Sequence, residues 1–281
     1  MKISEILLEA ANLLADSGIP DSRREASSLL LHTLGRDPIF LIVHPEYDVT
    51  DNEEKIFREL LNRRAKREPF HYIVGHKEFF GLDFEVSPDV LIPRRETEIL
   101  VEEAIKVLGG GDKPRFCEIG VGSGCILISI LHNVKNATAV GIDISPKALA
   151  VAIRNGAIHQ VDDRIRLLVG DVFDAVSERF DLIVSNPPYI PAADMPVLQR
   201  EVVGFEPHNA LAGGSDGLEV VRRIVLDSPE HLTRQGVLLI EIGFGQSDAV
   251  AGLLDPSIWD LPEFLPDLQS VPRVLKVRRR S

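Results

Sequence analysis

The first quarter of the chain has the hydrophobic spacing that is typical of amphipathic helices. Hydrophobic residues recur at steps of three and four in three stretches, 3–14, 21–35 and 50–61. Glycine or proline follows each of the first two stretches, and Thr50 opens a Thr-x-x-Glu capping-box pattern at the third. No strand-like alternation occurs here. We therefore predict that residues 1–72 form a small helical bundle.

The hydrophobic pattern changes to short alternation between residues 78 and 86, where two segments flank Gly81. Alternating segments on either side of a glycine are typical of a β-hairpin. We predict that residues 73–93 form this hairpin and link the helical region to the rest of the chain.

From residue 94 onward, short hydrophobic runs alternate with helical stretches. The runs lie at 115–119, 138–143, 165–169, 180–185 and 237–242, and a last run at 273–277 is expected to form an edge strand. Strands that are separated by helical crossovers predict a mostly parallel sheet with helices on both faces. We therefore predict that residues 94–281 form an α/β domain with a doubly wound sheet.

Composition and charge narrow the class of protein. The 281 residues are 44% hydrophobic and 26% charged, as in ordinary soluble domains. The chain has 43 acidic and 31 basic side chains, which gives a net charge of −12. It therefore lacks the positive field that non-specific binding of duplex nucleic acid uses. No hydrophobic run approaches the roughly 18 residues of a membrane helix. We expect a cytoplasmic monomer that does not bind membranes, and nucleic acid is a disfavoured partner.

The chain contains two cysteines, Cys117 and Cys125, and both lie in hydrophobic segments. Two cysteines cannot form a zinc site without further ligands nearby, and the histidines have no ligand-spaced partners. The sequence therefore predicts two buried free thiols and no metal site.

A glycine-rich segment follows the first strand of the α/β region. It consists of Gly120, Val121, Gly122, Ser123 and Gly124, and Glu118 precedes it. Ligands bind at the carboxyl ends of strands in doubly wound sheets, and glycines let the backbone turn tightly beside them. The dinucleotide fingerprint would require glycine where this chain has Cys125. The pattern instead resembles the first motif of class I methyltransferases, which implies that residues 120–124 contact S-adenosylmethionine. A purely structural turn is the alternative.

Acidic residues follow the next two strands. Asp143 ends the second strand, where a carboxylate can accept the ribose hydroxyls of a nucleoside-containing cofactor. The alternative is that Asp143 or Ser145 caps the helix that follows. Asp171 comes after the third strand, and the methyltransferase resemblance implies that Asp171 and the Val172 backbone contact the adenine. A helix cap or loop carboxylate is the alternative for Asp171.

The segment Asn186-Pro187-Pro188-Tyr189 ends the fourth strand. Two prolines fix the backbone and remove two N–H donors, so the segment is stiff and presents carbonyl acceptors. It resembles the motif of amino-group methyltransferases, which act on planar nitrogens. The Asn186 oxygen and the Pro187 carbonyl could accept both N–H bonds of such a nitrogen, and Tyr189 would supply a flat wall. By the same resemblance, Asn186 also touches the cofactor.

Further segments narrow the resemblance to one family. They are residues 68–75, 78–82, 91–98, 205–207, 213–218 and 241–243. Together with the motifs above, they resemble the family that methylates the N5 amide of glutamine in peptide chain release factors. The resemblance implies transfer from S-adenosylmethionine to the glutamine of the Gly-Gly-Gln loop, with S-adenosylhomocysteine as product. It also implies a release factor as protein partner and a helical domain that recognises it.

Two positions depart from the family pattern, and two rival functions stay open. Arg95 stands where a proline is usual, and the segment 267–273 lacks its usual central glycine. We interpret residues 94–98 as a helix start in preference to a binding site. The rival enzyme is an adenine-N6 methyltransferase on DNA or RNA, which the acidic charge disfavours. The other rival binds the cofactor without turnover, which the intact segment 186–189 disfavours.

Overall fold

The computed structural model describes residues 1–280. The chain divides into two compact units. The first unit consists of Met1–Gly75 together with Gln199–Phe205. The second consists of His76–Leu198 together with the described residues from Glu206 onward. The predicted boundaries after residues 72 and 93 stay a prediction.

The first unit is helical, as predicted. Its helices are α1 (Ile3–Asp16), α2 (Ser22–Leu34), α3 (Pro38–Val43), α4 (Asp51–Ala65), α5 (Phe70–Val74) and, from later in the chain, α9 (Arg200–Phe205). The hydrophobic periodicity predicted α1, α2 and α4, whereas the short helices α3, α5 and α9 were not predicted. The predicted capping box is present, because the Thr50 side chain accepts from the Glu53 N–H and the Glu53 carboxylate accepts from the Thr50 N–H.

Ion pairs hold α9 within the first unit. The side chain of Arg64 is only 6% exposed and pairs with Glu25 and, at 3.2 Å, with Glu201 of α9. Arg67 also pairs with Glu201, at 2.8 Å. A buried guanidinium needs such partners because desolvation of an unpaired charge is costly.

The second unit begins with the predicted hairpin, in which β1 (His76–Phe79) pairs antiparallel with β2 (Leu82–Glu85). A seven-stranded sheet follows. Its strands are β3 (Arg115–Ile119), β4 (Thr138–Asp143), β5 (Ile165–Val169), β6 (Phe180–Ser185), β7 (Leu232–Glu241), β8 (Glu263–Pro266) and β9 (Pro272–Arg278). The strand order is β5-β4-β3-β6-β7-β9-β8. The five strands β3 to β7 all run parallel to one another. The doubly wound, mostly parallel sheet is thereby confirmed.

Helices complete the second unit. The longer ones are α6 (Glu98–Leu108), α7 (Cys125–Asn133), α8 (Pro146–Ile158) and α10 (Glu219–His231), and α11 (Ser247–Ala251) is short. Single 3-10 turns lie at Arg95–Thr97, Asp162–Arg164, Met195–Val197 and His208–Ala210. Among residues 1–280 no helix has the length and apolar character needed to cross a membrane.

One prediction about the sheet was wrong. The run at 273–277 was expected to be an edge strand, but β9 lies between β7 and β8 and pairs antiparallel with both. The outer position belongs to β8, which has only four residues and ends at Pro266. A proline is compatible with an edge because its missing N–H interrupts no ladder on the open side. So short a strand has little periodicity, and the sequence did not indicate it.

The sheet is buried on both faces. Successive residues of β3 enter different cores, with Phe116 on one face and Cys117 on the other, and Leu182 and Ile183 of β6 do the same. This alternation is what two helical layers on a parallel sheet require. Cys117 and Cys125 are buried free thiols, as predicted. Burial raises the pKa of both thiols, that of Cys125 to about 12.

Candidate active site

A pocket opens at the carboxyl ends of β3, β4 and β6. The strand order reverses between β3 and β6, and such a switch point is where doubly wound sheets bind ligands. Its walls include, from the predicted site, Gly120, Val121, Gly122, Ser123, Asp143, Asp171, Val172, Asn186 and Pro188. Gly124, Pro187 and Tyr189 are not part of these walls. Within residues 1–280, no cluster of three or more side chains is arranged to hold a metal ion.

The glycine-rich loop follows β3 directly. Gly120, Gly122 and Gly124 have φ values of 78°, 56° and 81°, a left-handed conformation that other residues adopt only with strain. Val121 and Ser123, between them, are buried. The loop therefore needs glycine at alternate positions in order to turn from β3 into α7 beside the pocket.

Glu118 lies behind this loop. Its side chain is fully buried, and its Oε2 atom accepts from the Leu127 N–H in the first turn of α7 at 3.0 Å. Burial raises the pKa of Glu118 well above its usual range, although the Leu127 hydrogen bond opposes the shift. This carboxyl group thus ties the end of β3 to the beginning of α7 and holds the loop between them.

Asp143 orders the same loop from the end of β4. Its Oδ2 atom accepts from the Gly122 N–H and its Oδ1 atom from the Ser145 N–H, both at 2.8 Å. Burial raises the pKa of Asp143, and these two hydrogen bonds oppose the shift. Ser145 caps α8 by accepting from the Ala148 N–H, so that alternative is correct for Ser145. Each Asp143 oxygen keeps a lone pair that a ligand hydroxyl could use.

Asp171 and Val172 lie beyond the end of β5. Asp171 pairs with Arg223 through both carboxylate oxygens, at 3.0 and 2.9 Å. Val172 has a φ of 54°, which is unusual for a β-branched residue and marks a strained backbone. Strain of this kind is found where a backbone group is held for a ligand, and Val172 is part of the pocket wall.

The segment 186–189 is held from several sides. Asn186 lies in the pocket wall, and its Nδ2 atom donates to the Thr97 hydroxyl at 3.2 Å. Pro187 is buried. The Tyr189 carbonyl accepts from the Gln246 side chain at 3.1 Å, and the Tyr189 hydroxyl donates to Glu241 at 3.4 Å. The segment is therefore fixed in front of the switch point by side chains from distant parts of the chain.

Gly213 packs directly against the backbone of this segment. A Cβ atom at Gly213 would lie 2.7 Å from the Pro188 carbonyl oxygen and 2.8 Å from the Tyr189 Cα. Backbone hydrogen bonds in both directions join Ile190 to the chain around Gly213. Only glycine permits this close approach.

Several residues of the site were not predicted to belong to it. The predicted helix start at residues 94–98 is correct, since a 3-10 turn and then α6 begin there. Thr97 nevertheless bonds to Asn186, and Arg94 lines the pocket and pairs with the buried Glu206 at 2.5 Å. The family-like segments 91–98 and 205–207 contained these residues, but nothing in their spacing indicated that the fold brings them together.

Comparison with known proteins identifies relatives of the whole chain. Residues 5–75 match the family model of the PrmC N-terminal domain, and residues 96–202 match that of the methyltransferase small domain. A release factor glutamine methyltransferase of Geobacter sulfurreducens is 44% identical over 89% of this chain and 87% of the relative. Proteins of the same name from Rhodospirillum rubrum and Cereibacter sphaeroides are each 40% identical over 99% of this chain. The matched region covers 86% of the first relative and 99% of the second.

Solved methyltransferase structures share a fold with much of this chain. A methyltransferase from Pyrococcus furiosus superimposes with a TM-score of 0.55 at 19% identity, over 78% of this chain and 98% of that one. The ribosomal protein L11 methylase of Lactobacillus delbrueckii has a TM-score of 0.50 at 19% identity, over 70% of this chain and 84% of that one. At such low identity these neighbours support the methyltransferase fold alone.

Proposed function

The chain belongs to the release factor glutamine methyltransferases, and on that premise we propose which of its residues carry the reaction. It is an S-adenosylmethionine-dependent enzyme that methylates the glutamine side-chain amide of peptide chain release factors. The observation that carries the residue assignment is that the glycine-rich loop and Asn186 lie in one pocket, at the switch point of the sheet.

The pocket residues fit the chemistry of the cofactor. Asp143 offers lone pairs to the ribose hydroxyls, and the loop 120–124 lets a ligand approach its backbone closely. Asp171 and the strained Val172 backbone, which both line the pocket, are proposed to contact the adenine. The beginning of α7 favours a negative group such as the cofactor carboxylate. When bound, S-adenosylmethionine supplies an electrophilic methyl group on its sulfonium.

Asn186 is proposed to orient the substrate amide. The nitrogen of an amide is a weak nucleophile because its lone pair is delocalised, so it gains from acceptors that hold both N–H bonds and stabilise the developing positive charge. The Asn186 Oδ1 atom and the Pro187 carbonyl would be these acceptors, while Pro188 forms part of the pocket wall and Tyr189 offers a flat surface. Methyl transfer makes the amide nitrogen acidic, so its proton can leave to water without a strong base.

The helical first unit is proposed to recognise the release factor. It matches a family model, the PrmC N-terminal domain, that is separate from the methyltransferase one. The expectation of a cytoplasmic monomer stays a prediction. The rival acceptor, adenine in DNA or RNA, is not favoured, because the named relatives act on release factors and the chain carries a net charge of −12.

A methyl-transfer assay tests this proposal. Purified protein is incubated with radiolabelled S-adenosylmethionine and, in parallel, a release factor, the same factor with the Gly-Gly-Gln glutamine replaced by alanine, or duplex DNA. We expect label on the intact factor alone. Asn186→Ala should retain cofactor binding in calorimetry while methyl transfer falls by about 10²-fold or more. Label on DNA would refute the acceptor, and an active Asn186→Ala variant would refute the assigned role.

A further inference from the structure

A buried carboxyl group lies behind the segment 186–189, and the reaction described above does not use it. Glu241 ends β7 and is only 2% exposed. Its Oε1 atom accepts from the Tyr189 hydroxyl at 3.4 Å, whereas its Oε2 atom is buried without a hydrogen bond of good geometry among residues 1–280. An under-satisfied buried carboxyl oxygen is costly, so this group calls for an explanation.

Thr97 connects this carboxyl group to Asn186. Thr97 is 2% exposed, and its hydroxyl oxygen accepts from the Asn186 Nδ2 atom at 3.2 Å. A hydroxyl has one proton to donate, and an amide NH₂ group cannot accept it. The Thr97 side chain also interacts with the Glu241 carboxyl group, which can accept that proton. The arrangement that would satisfy all three groups, including the Glu241 Oε2 atom, is donation from Asn186 to Thr97 and from Thr97 to Glu241.

This direction decides which end of the Asn186 amide meets the substrate. The oxygen and nitrogen of an asparagine amide have nearly the same size, so packing alone does not distinguish its two orientations. We propose that Glu241 and Thr97 are positioning residues for methyl transfer: the Glu241 carboxylate, acting through the Thr97 hydroxyl, holds the Asn186 NH₂ group away from the reacting centre and leaves Oδ1 free for the substrate amide. The inference rests on the proposed role of Asn186 and deepens it.

Protonation of Glu241 would remove this control, because a neutral carboxyl group can itself donate to Thr97. The Thr97 proton would then be free to point at Asn186 and to favour the reversed amide. Burial raises the pKa of Glu241 to about 7, while Thr97, Tyr189 and the positive charge of Arg273 oppose the rise. The negative charge of Glu96 adds to it. The titration of Glu241 therefore falls in a range that a rate profile can cover.

The first test removes the link at Thr97. Thr97→Val keeps the shape of the side chain but neither accepts from Asn186 nor donates to Glu241. We expect kcat to fall by about 10- to 100-fold, with cofactor affinity unchanged, and Thr97→Ser to restore most of the rate. Thr33→Val is the matched control, since the Thr33 hydroxyl only bonds to a helix carbonyl in the first unit. Wild-type kcat in Thr97→Val would overturn the proposal.

The second test follows kcat against pH. In the wild type, kcat should rise as pH increases through the Glu241 pKa, and Glu241→Gln should be slower and lose that acid limb because it cannot titrate. Glu103→Gln is the control, because Glu103 is a buried carboxylate that pairs with Lys276 away from the pocket. An acid limb in Glu241→Gln equal to that of the wild type would overturn the proposal. An inactive Asn186→Ala beside unaffected Glu241 and Thr97 variants would refute only this inference, whereas an active Asn186→Ala would refute the role on which it rests.

Discussion

The contact between Gly213 and the segment 186–189 can be tested with a variant that adds a single carbon atom, Gly213→Ala. Gly213→Ala places a Cβ atom 2.7 Å from the carbonyl oxygens of Pro188 and Gly217 and 2.8 Å from the Tyr189 Cα, and all three neighbours are backbone atoms that cannot rotate away. The Gly213 N–H also donates to the Ile190 carbonyl at 2.9 Å, which keeps the two chains in register. Relief of the clash must therefore shift the backbone of the segment 186–189 against that of residues 213–217.

The required displacement follows from the distances. Ordinary van der Waals contacts of a Cβ begin near 3.4 Å, so a neighbour at 2.7 Å has to move by about 0.7 Å. Overpacking of this kind costs about 1–3 kcal/mol of folding stability. A displacement of about 1 Å at a reacting group can cost about 100-fold in rate. We therefore expect kcat to fall at least tenfold in Gly213→Ala, which stays folded.

The assay compares Gly213→Ala with the control variant Gly110→Ala. Three quantities are measured for each: kcat, the midpoint of thermal unfolding and the calorimetric affinity for S-adenosylhomocysteine. A Cβ atom at Gly110 would meet no heavy atom within 4 Å, and Gly110 has no positive φ, so alanine there should change none of the three. Because Gly213 does not line the pocket, cofactor affinity should change less than the rate. Equal kcat values for the two alanine variants would show that this packing does not hold the segment in its reactive position.

Three further predictions follow from buried charges. Asp143→Asn should weaken binding of S-adenosylhomocysteine by about 10- to 100-fold in calorimetry, because an amide cannot accept at both positions that hold the loop. Arg64→Ala should lower the free energy of unfolding in urea by about 3 kcal/mol, because it leaves the half-buried Glu25 without its guanidinium partner and leaves Glu201 with Arg67 alone. Arg24→Ala, at an exposed pair, should cost about 0–1 kcal/mol; equal effects would refute the reasoning. Burial raises the pKa of Glu241 from 4.5 to about 7, so the folded protein retains a proton that the unfolded chain has lost, and its stability falls as pH rises through that window. Glu241→Gln should therefore gain about 3 kcal/mol more stability at pH 8 than at pH 4 in denaturant titrations. Glu103→Gln should show the opposite trend, because its lysine partners outweigh burial and lower the pKa of Glu103.

The hydrophobic pattern predicted the bounds of the central strands to the residue, but it did not predict the edge strand of the sheet. The strands β3 to β6 coincide with the predicted runs, because both of their faces are buried and the hydrophobic runs are continuous. The residues of β8 are half-buried or exposed, Pro262 precedes the strand and Pro266 is its last residue. Little in the local sequence therefore distinguishes β8 from a loop. Without β8 the pattern could not show that β9 is an interior strand.

The site was predictable wherever its chemistry lies in a continuous motif. The glycine-rich loop, Asp143 and Asn186 each follow a strand, and the doubly wound topology brings the ends of parallel strands together. Thr97 and Glu241 could not be found this way, since they lie 89 and 52 positions from their partners in the segment 186–189. Hydrophobic spacing indicates which strands are buried, but not which polar side chain meets another behind a motif.

The two expected effects of Glu241 oppose each other, and that opposition is informative. At neutral pH this carboxylate lowers the stability of the fold because its burial is poorly compensated. Polar groups that cost stability in this way are found where activity depends on them. A structural role for Glu241 predicts that Glu241→Gln loses stability and rate together. A positioning role predicts a variant that is more stable at pH 8 and slower, so the two measurements on one protein distinguish the explanations.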